Sequence, residues 1–188
     1  MKAKLIILIC SLALSNNLGA QFGWTNFQAG KIITLEGDTL EGEIKFVPGY
    51  HKIQFRNTTN YKIQEFLPFD IAGFNYYREG WFAFESCKCL DYRKGRGVFM
   101  EKVMNGKLNV YRIWEDNRYF FDDAGFLGSQ YCYGRTNKEL VRHKKKNFNK
   151  ELVRLMSDCK EVLLDLGTPG YQYQDLIAIA ANYNSSCN

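Results

Sequence analysis

Between Gly30 and Phe46 apolar and polar side chains alternate, with Ile32 and Leu35 on one side and Leu40 and Ile44 on the other side of Glu36-Gly37-Asp38. A period of two marks strands that bury one face, and turn-forming residues between two such runs mark a hairpin. The same logic predicts strands over Lys52 to Phe55 and Tyr61 to Phe66, joined by the polar turn Asn57-Thr58-Thr59-Asn60 and ended by Pro68, which cannot donate to a ladder. Ile71 to Tyr77 and Trp81 to Ser86, dense in aromatics, read as another hairpin about Arg78-Glu79-Gly80, and Gly95-Arg96-Gly97 as the loop after it. Val98 to Val103 and Leu108 to Trp114 flank Asn105-Gly106, which predicts a type I′ turn because both residues tolerate positive φ. Arg118 to Phe121 reads as one more strand.

Beyond that point no segment alternates, and basic residues gather between Arg135 and Lys150, so the sheet is expected to end there. From Asn149 the apolar set Leu152, Val153 and Met156 recurs at helical spacing, and from Tyr171 so do Leu176, Ile179, Ala180 and Tyr183, with Gly167-Thr168-Pro169-Gly170 between them. The expected fold is α+β: a mainly antiparallel, twisted or partly rolled sheet of about seven to nine strands built of hairpins, followed by two C-terminal α-helices over residues 148–184 that pack on it.

The N-terminus changes the setting of that fold. Lys2 and Lys4 precede an apolar stretch from Leu5 to Leu14, and Leu18-Gly19-Ala20 has the small residues of a cleavage site, so residues 1–20 read as a secretory signal peptide and 21–188 as one domain. The apolar core is about half the ~20 residues a spanning helix needs, and no later apolar run is longer, so no transmembrane span is expected after cleavage. Removing the leader takes two lysines and no acids, which lowers the formal charge of +5 by two and leaves a mildly basic chain. With 46% hydrophobic and 15% aromatic residues it has material for a packed core. It lacks the focused basic surface of a nucleic-acid binder, and no nucleic-acid partner is expected.

Export makes disulfides the default use of cysteine. Cys10 leaves with the leader, and Cys87, Cys89, Cys132, Cys159 and Cys187 remain. Cys159 ends the first helical pattern and Cys187 lies just past the second, so an antiparallel helical hairpin brings them together. That bridge closes a loop of about 29 residues and contributes on the order of 3 kcal/mol in the chain-entropy model. Two bridges and a spare thiol, or one bridge and three thiols, both satisfy the count; Cys132 can pair with Cys87 or Cys89. Cys87 and Cys89 sit at i and i+2 on one strand face, where two thiolates can hold a soft metal. Only His51 and His143 stand beside them as imidazole ligands, far away in sequence, and a closed zinc site takes four ligands.

Gly37-Asp38-Thr39-Leu40-Glu41-Gly42-Glu43-Ile44, Leu67-Pro68-Phe69-Asp70-Ile71-Ala72-Gly73-Phe74, Gly106-Lys107-Leu108-Asn109-Val110-Tyr111, Asp158-Cys159 and Tyr183-Asn184-Ser185-Ser186-Cys187, in that order, resemble a group of small uncharacterised exported proteins of the Bacteroidota. The resemblance implies a β-rich cell-envelope module ending in a cysteine-bearing helical hairpin, periplasmic or associated with the outer membrane, and implies no activity. Cys87 and Cys89 lie outside its pattern, and Cys187 stands one residue further from Tyr183-Asn184 than the pattern has it.

Candidate chemistry is sparse. Asp38 and Asp70 are turn formers, no Gly-x-Ser-x-Gly elbow occurs, and both histidines lie in polar contexts. Gly95-Arg96-Gly97 is too short to cradle a phosphate, and no cofactor is expected. Arg142, Lys144, Lys145 and Lys146 are the candidate contacts for an anionic partner, against the plainer reading of a solvated connector. Tyr92, Tyr131 and Tyr133 are candidates for stacking on a glycan. The expected function is a non-catalytic exported envelope module that binds a partner protein or surface glycan. The alternative is a periplasmic thiol-dependent or hydrolytic enzyme using Cys87 or Cys89.

Overall fold

In the computed structural model, residues 26–46, 52–77, 80–90, 96–113 and 130–187 are described. They form a ten-stranded antiparallel sheet and three C-terminal helices. The strands are β1 (Gln28–Ile33), β2 (Thr39–Phe46), β3 (Ile53–Arg56), β4 (Ile63–Phe66), β5 (Gly73–Tyr77), β6 (Trp81–Lys88), β7 (Gly97–Met104), β8 (Asn109–Ile113), β9 (Gln130–Gly134) and β10 (Val141–Arg142). The helices are α1 (Phe148–Leu155), α2 (Lys160–Leu164) and α3 (Leu176–Ser186). The strand order is β10-β9-β8-β7-β6-β5-β1-β2-β3-β4, so every neighbour is also consecutive except that β5 returns past β2, β3 and β4 to pair with β1. The sheet stays open, with β10 and β4 as its edges.

Cross-strand partners separate two faces. Ile44, Phe55, Ile32, Phe74, Tyr76 and Phe84 share one of them. In a flat sheet β2 and β6 would lie three strand spacings apart, about 14 Å. The Phe46 ring nevertheless sits 4.9 Å from that of Phe84 and 5.2 Å from that of Phe74. The first six strands therefore roll this face inward around a phenylalanine-rich core. Gly30 and Gly42, directly opposed, make the roll possible. A Cβ on Gly42 would fall 2.5 Å from the Phe55 ring, and one on Gly30 would fall 2.7 Å from the Asn75 carbonyl oxygen.

On the other face of β6 to β9 lie Cys87, Val98, Met100, Tyr111 and Cys132, a second core that Cys89 and Leu140 complete. Cys89 directly follows β6, and β6 and the β9 strand of Cys132 are three strands apart in the sheet order, yet the two Cα atoms are 6.5 Å apart and the sulfurs are bonded. The sheet thus curls a second time, in the opposite sense. The helices cover the first face over β8 to β10, where Leu108, Val110 and Tyr133 meet Leu152, Ile179 and Tyr183. A bulge between Lys102 and Met104 reverses the alternation late in β7 and turns Met104 toward the helices.

Several expectations need correction. Among the described residues there are ten strands, and β9 and β10 follow the point where the sheet was expected to end. The Arg118 to Phe121 strand lies outside the described residues. The Asn105-Gly106 hairpin forms, but neither residue has positive φ, so its turn is not type I′. Three helices replace two: the first helical pattern breaks at residues 156–159, and Cys159 precedes α2 rather than ending α1. The buried stripe of α1 is Phe148, Leu152 and Leu155, continued by Met156, while Val153 is exposed.

Candidate functional site

The Asn105-Gly106 turn is held by a distant side chain. The Leu108 N–H donates to Asn184 Oδ1 at 2.8 Å, and Asn184 Nδ2 donates to the Leu108 carbonyl at 2.9 Å. A side-chain amide on α3 thus pairs with the backbone as a neighbouring strand would. Gly106 permits it, since a Cβ there would lie 2.4 Å from the Asn184 amide. This contact overrides the type I′ geometry. The Lys107 ammonium donates to the Cys187 carbonyl and lies 3.8 Å from Asp158.

Arg135, just after β9, ties this clasp to α1. Its guanidinium donates to the Leu155 carbonyl through Nε at 2.9 Å and Nη2 at 2.7 Å, to Asp158 Oδ1 at 2.6 Å and to the Tyr183 hydroxyl at 3.0 Å. It satisfies a carbonyl at the end of α1 that has no partner within the helix. Tyr183 donates to Asp158 at 2.7 Å. That hydrogen bond, aided by Arg135 and Lys107, holds the Asp158 carboxyl below its ordinary range, while burial and the carboxylate push the Tyr183 hydroxyl up to about 12. Next to it Cys159 and Cys187, 28 positions apart in sequence, are bonded. Gly106-Lys107-Leu108, Asp158-Cys159 and Tyr183-Asn184 through Cys187, dispersed in sequence, therefore meet at one place.

An open cleft of about 590 Å³ adjoins the clasp, lined by Leu90, Arg135, Thr136, Glu139, Val141, Asn147, Glu151, Arg154 and Leu155. Its charges are largely spent within the fold: Arg135 serves the clasp, and Arg154 Nε donates to Glu151 at 2.9 Å one helical turn away. Two residues past Val141, an aromatic cluster surrounds His143. The imidazole stacks on Tyr173 at 4.0 Å and meets Phe148 edge-on at 5.1 Å, with Tyr131 and Tyr133 about 6 Å away. His143 is therefore half-buried and packed rather than exposed. Burial pushes its pKa down to about 4, and its Nδ1 and the Tyr133 hydroxyl are buried without a hydrogen-bond partner.

The structure places the other candidates as follows. Cys132 is bonded to Cys89, and Cys87 is the unbonded thiol among the described cysteines. Cys87 is buried, and desolvation, reinforced by Glu85, pushes its thiol well above the ordinary range. Among the described residues, His, Cys, Asp and Glu side chains nowhere gather in threes, so no third ligand stands beside Cys87. Arg142 lies in β10 opposite Cys132, and Lys144, Lys145 and Lys146 are exposed on the connector to α1. Tyr133 is fully buried and Tyr131 half-buried, which leaves neither as an open stacking platform, and Tyr92 and His51 lie outside the described residues. Asp70 caps its own turn by accepting from the Leu67 N–H at 2.7 Å, and the Asp38 N–H donates to Thr34 Oγ1 at 3.2 Å in the β1–β2 turn.

Reading the residues alone missed Arg135, Asn184 and the exposed pair Tyr77 and Trp81. The first two carried no local signal, because their partners are 20 or more residues away. The third could have been found as the two aromatics flanking Arg78-Glu79-Gly80, which pair across β5 and β6. Comparison of the chain with protein-family models, with curated proteins and with solved structures gave no match.

Proposed function

We propose that the chain is an exported cell-envelope module that works by binding a partner protein or a surface glycan rather than by turning over a substrate. The observation that carries this reading is the clasp: the polar cluster of Arg135, Asp158 and Tyr183 is committed to a backbone carbonyl and to itself, in the manner of a structural joint. The two disulfides fit an exported protein. Among the described residues no helix is long and apolar enough to cross a membrane. The thiol-dependent alternative is weakened by where its sulfurs lie. A thiolate is the nucleophile, and Cys89 is in a bridge while Cys87 is buried in apolar surroundings that disfavour ionisation.

The test expresses the full chain with its leader in a Gram-negative host and recovers it from the envelope. Mass spectrometry should find an N-terminus at Gln21 and both bridges formed. The same preparation is then used to capture protein and glycan from envelope extracts, beside a variant with Lys144, Lys145 and Lys146 changed to Ala. Protein that stays in the cytosol with Met1 intact and its thiols reduced would overturn export. Capture of nothing, together with a turnover lost in Cys87→Ser, would replace the binding reading with the enzyme.

A further inference from the structure

Tyr77 and Trp81 are direct cross-strand partners at the tip of the β5–β6 hairpin. Their rings sit 5.3 Å apart at 63°, yet Trp81 is 60% and Tyr77 46% exposed. A cross-strand aromatic pair gains from its own contact, but that gain does not require most of an indole to remain in water. The pairings Ala83↔Asn75, Asn75↔Lys31 and Lys31↔Glu41 put those four side chains in one row across the sheet. Alternation places that row on the same face as Tyr77 and Trp81. The Lys31 ammonium lies 5.8 Å from the Trp81 ring centroid.

Elsewhere on this face two of the charged groups are matched across strands, and Lys45, Gln54 and Glu65 form a row of the same composition. Arg56 Nε meets Glu43 at 2.6 Å, and Lys52 and Gln54 both serve Glu65, at 2.7 and 2.8 Å. The row beside Trp81 differs in lying next to two exposed rings, with Lys31 reaching one of them. It carries a donor, an amide that both donates and accepts, and an acceptor, with one positive and one negative charge that offset each other. Exposed π faces beside such a row match a ring that has an apolar C–H face and a hydroxylated rim and carries no charge.

We infer that the Tyr77–Trp81 pair, with Asn75, Lys31 and Glu41 beside it, is a binding platform for a neutral glycan, the Trp81 ring stacking on the C–H face of a pyranose and the Tyr77 ring, at 63° to it, flanking the sugar. Asn75 and Lys31 then hydrogen-bond the hydroxyl rim, and Glu41, three strand spacings or about 14 Å from β6, meets a neighbouring sugar of the same glycan. Cancelled charge separates this ligand from a phosphorylated polymer or an anionic membrane, either of which would ask for a cluster of unpaired cations. This inference rests on the binding-module reading and names its ligand class.

Affinity electrophoresis of the full chain through gels containing soluble α- and β-glucans, mannan or galactan tests it. At least one of these should retard the wild type, and Trp81→Ala or Tyr77→Ala should weaken that retardation about tenfold or more, as removal of a central aromatic anchor does. Trp81→Phe should keep most of it. Equal thermal midpoints for wild type and variants exclude misfolding as the cause. Retardation that survives both alanine variants would move the glycan elsewhere on the molecule and overturn this site while leaving the binding module intact. No retardation by any polysaccharide would overturn the ligand class, and the partner-protein form of the module would then stand or fall on the extract capture. Trp81-dependent binding to neutral or anionic phospholipid vesicles, without glycan binding, would overturn it in favour of a membrane contact.

Discussion

Single side chains decide more here than their chemistry advertises. Asn184 is the clearest instance: its amide closes both backbone groups of Leu108, a fully buried residue. Asn184→Ala strands a buried donor and acceptor, which costs about 1–3 kcal/mol for each group left unmade. Urea unfolding should therefore show a drop of at least about 2 kcal/mol with an unchanged slope. Asn184→Asp should be intermediate, since it keeps the acceptor for the Leu108 N–H and loses the donor. Gly106→Ala should fall in the same range, because its methyl group would meet the Asn184 amide. His143 supplies a different kind of residue-scale effect. Its folded pKa, near 4, lies below the ordinary 6.5, so the neutral ring is the form the folded state accepts. The stability tied to that ring is complete above pH 6.5, falls as the pH drops from 6.5 toward 4, and does not change further below that. With the ring only partly buried, the loss is on the order of 1–2 kcal/mol. The thermal midpoint of wild type should fall relative to that of His143→Phe, which has no ring to protonate, as the pH drops through that window; a constant difference would mean that His143 does not feel its burial.

At the scale of elements, the hairpins were legible because their information is local. Gly37 adopts φ +94 between β1 and β2, and the turns about Asn57 and Gly80 fall where the polar clusters stand. β9 and β10 were not legible. β9 alternates poorly, with Tyr131, Cys132 and Tyr133 all apolar in outline, because one of its faces meets the helices and the other the central core. β10 is two residues long and owes its place to β9 rather than to its own pattern. The break between α1 and α2 was equally hidden: Arg135, far away in sequence, accepts the task of ending α1 through the Leu155 carbonyl. The clasp was visible only as scattered fragments, since no one of them contains the contact that gives it meaning. The Cys159–Cys187 bridge lies across this joint. Removing it by Cys159→Ser with Cys187→Ser should lower unfolding stability by about 3 kcal/mol, mainly by freeing the unfolded chain. Asn184 and Asp158 should still dock α3, so far-UV circular dichroism of the folded variant should match the wild type. A variant without helical signal would show that the bridge, rather than the clasp, holds the helices.

Across the whole molecule, three cores are linked through shared strands. The phenylalanine core lies inside the first curl, the cysteine-bearing core inside the second, and the helical core on β8 to β10. Glu101 and Arg112 stand on the first face between the first and third of these, joined by two hydrogen bonds of 2.7 and 2.8 Å. The middle core shares β6 and β7 with one neighbour and β8 and β9 with the other, so it cannot open without loosening both. Cys87 is the reporter placed there: fully buried, unbonded, and with its thiol pushed up by desolvation. Because alkylation requires an exposed thiolate, labelling of the native protein with iodoacetamide should be negligible over hours at pH 8. Along a urea series with both disulfides intact, the midpoint of Cys87 labelling should coincide with the midpoint of the circular dichroism transition, as expected when the middle core yields only with the whole sheet. Labelling that runs well ahead of the loss of secondary structure would instead mean that the second curl opens by itself, and that the sheet is two cooperative units rather than one.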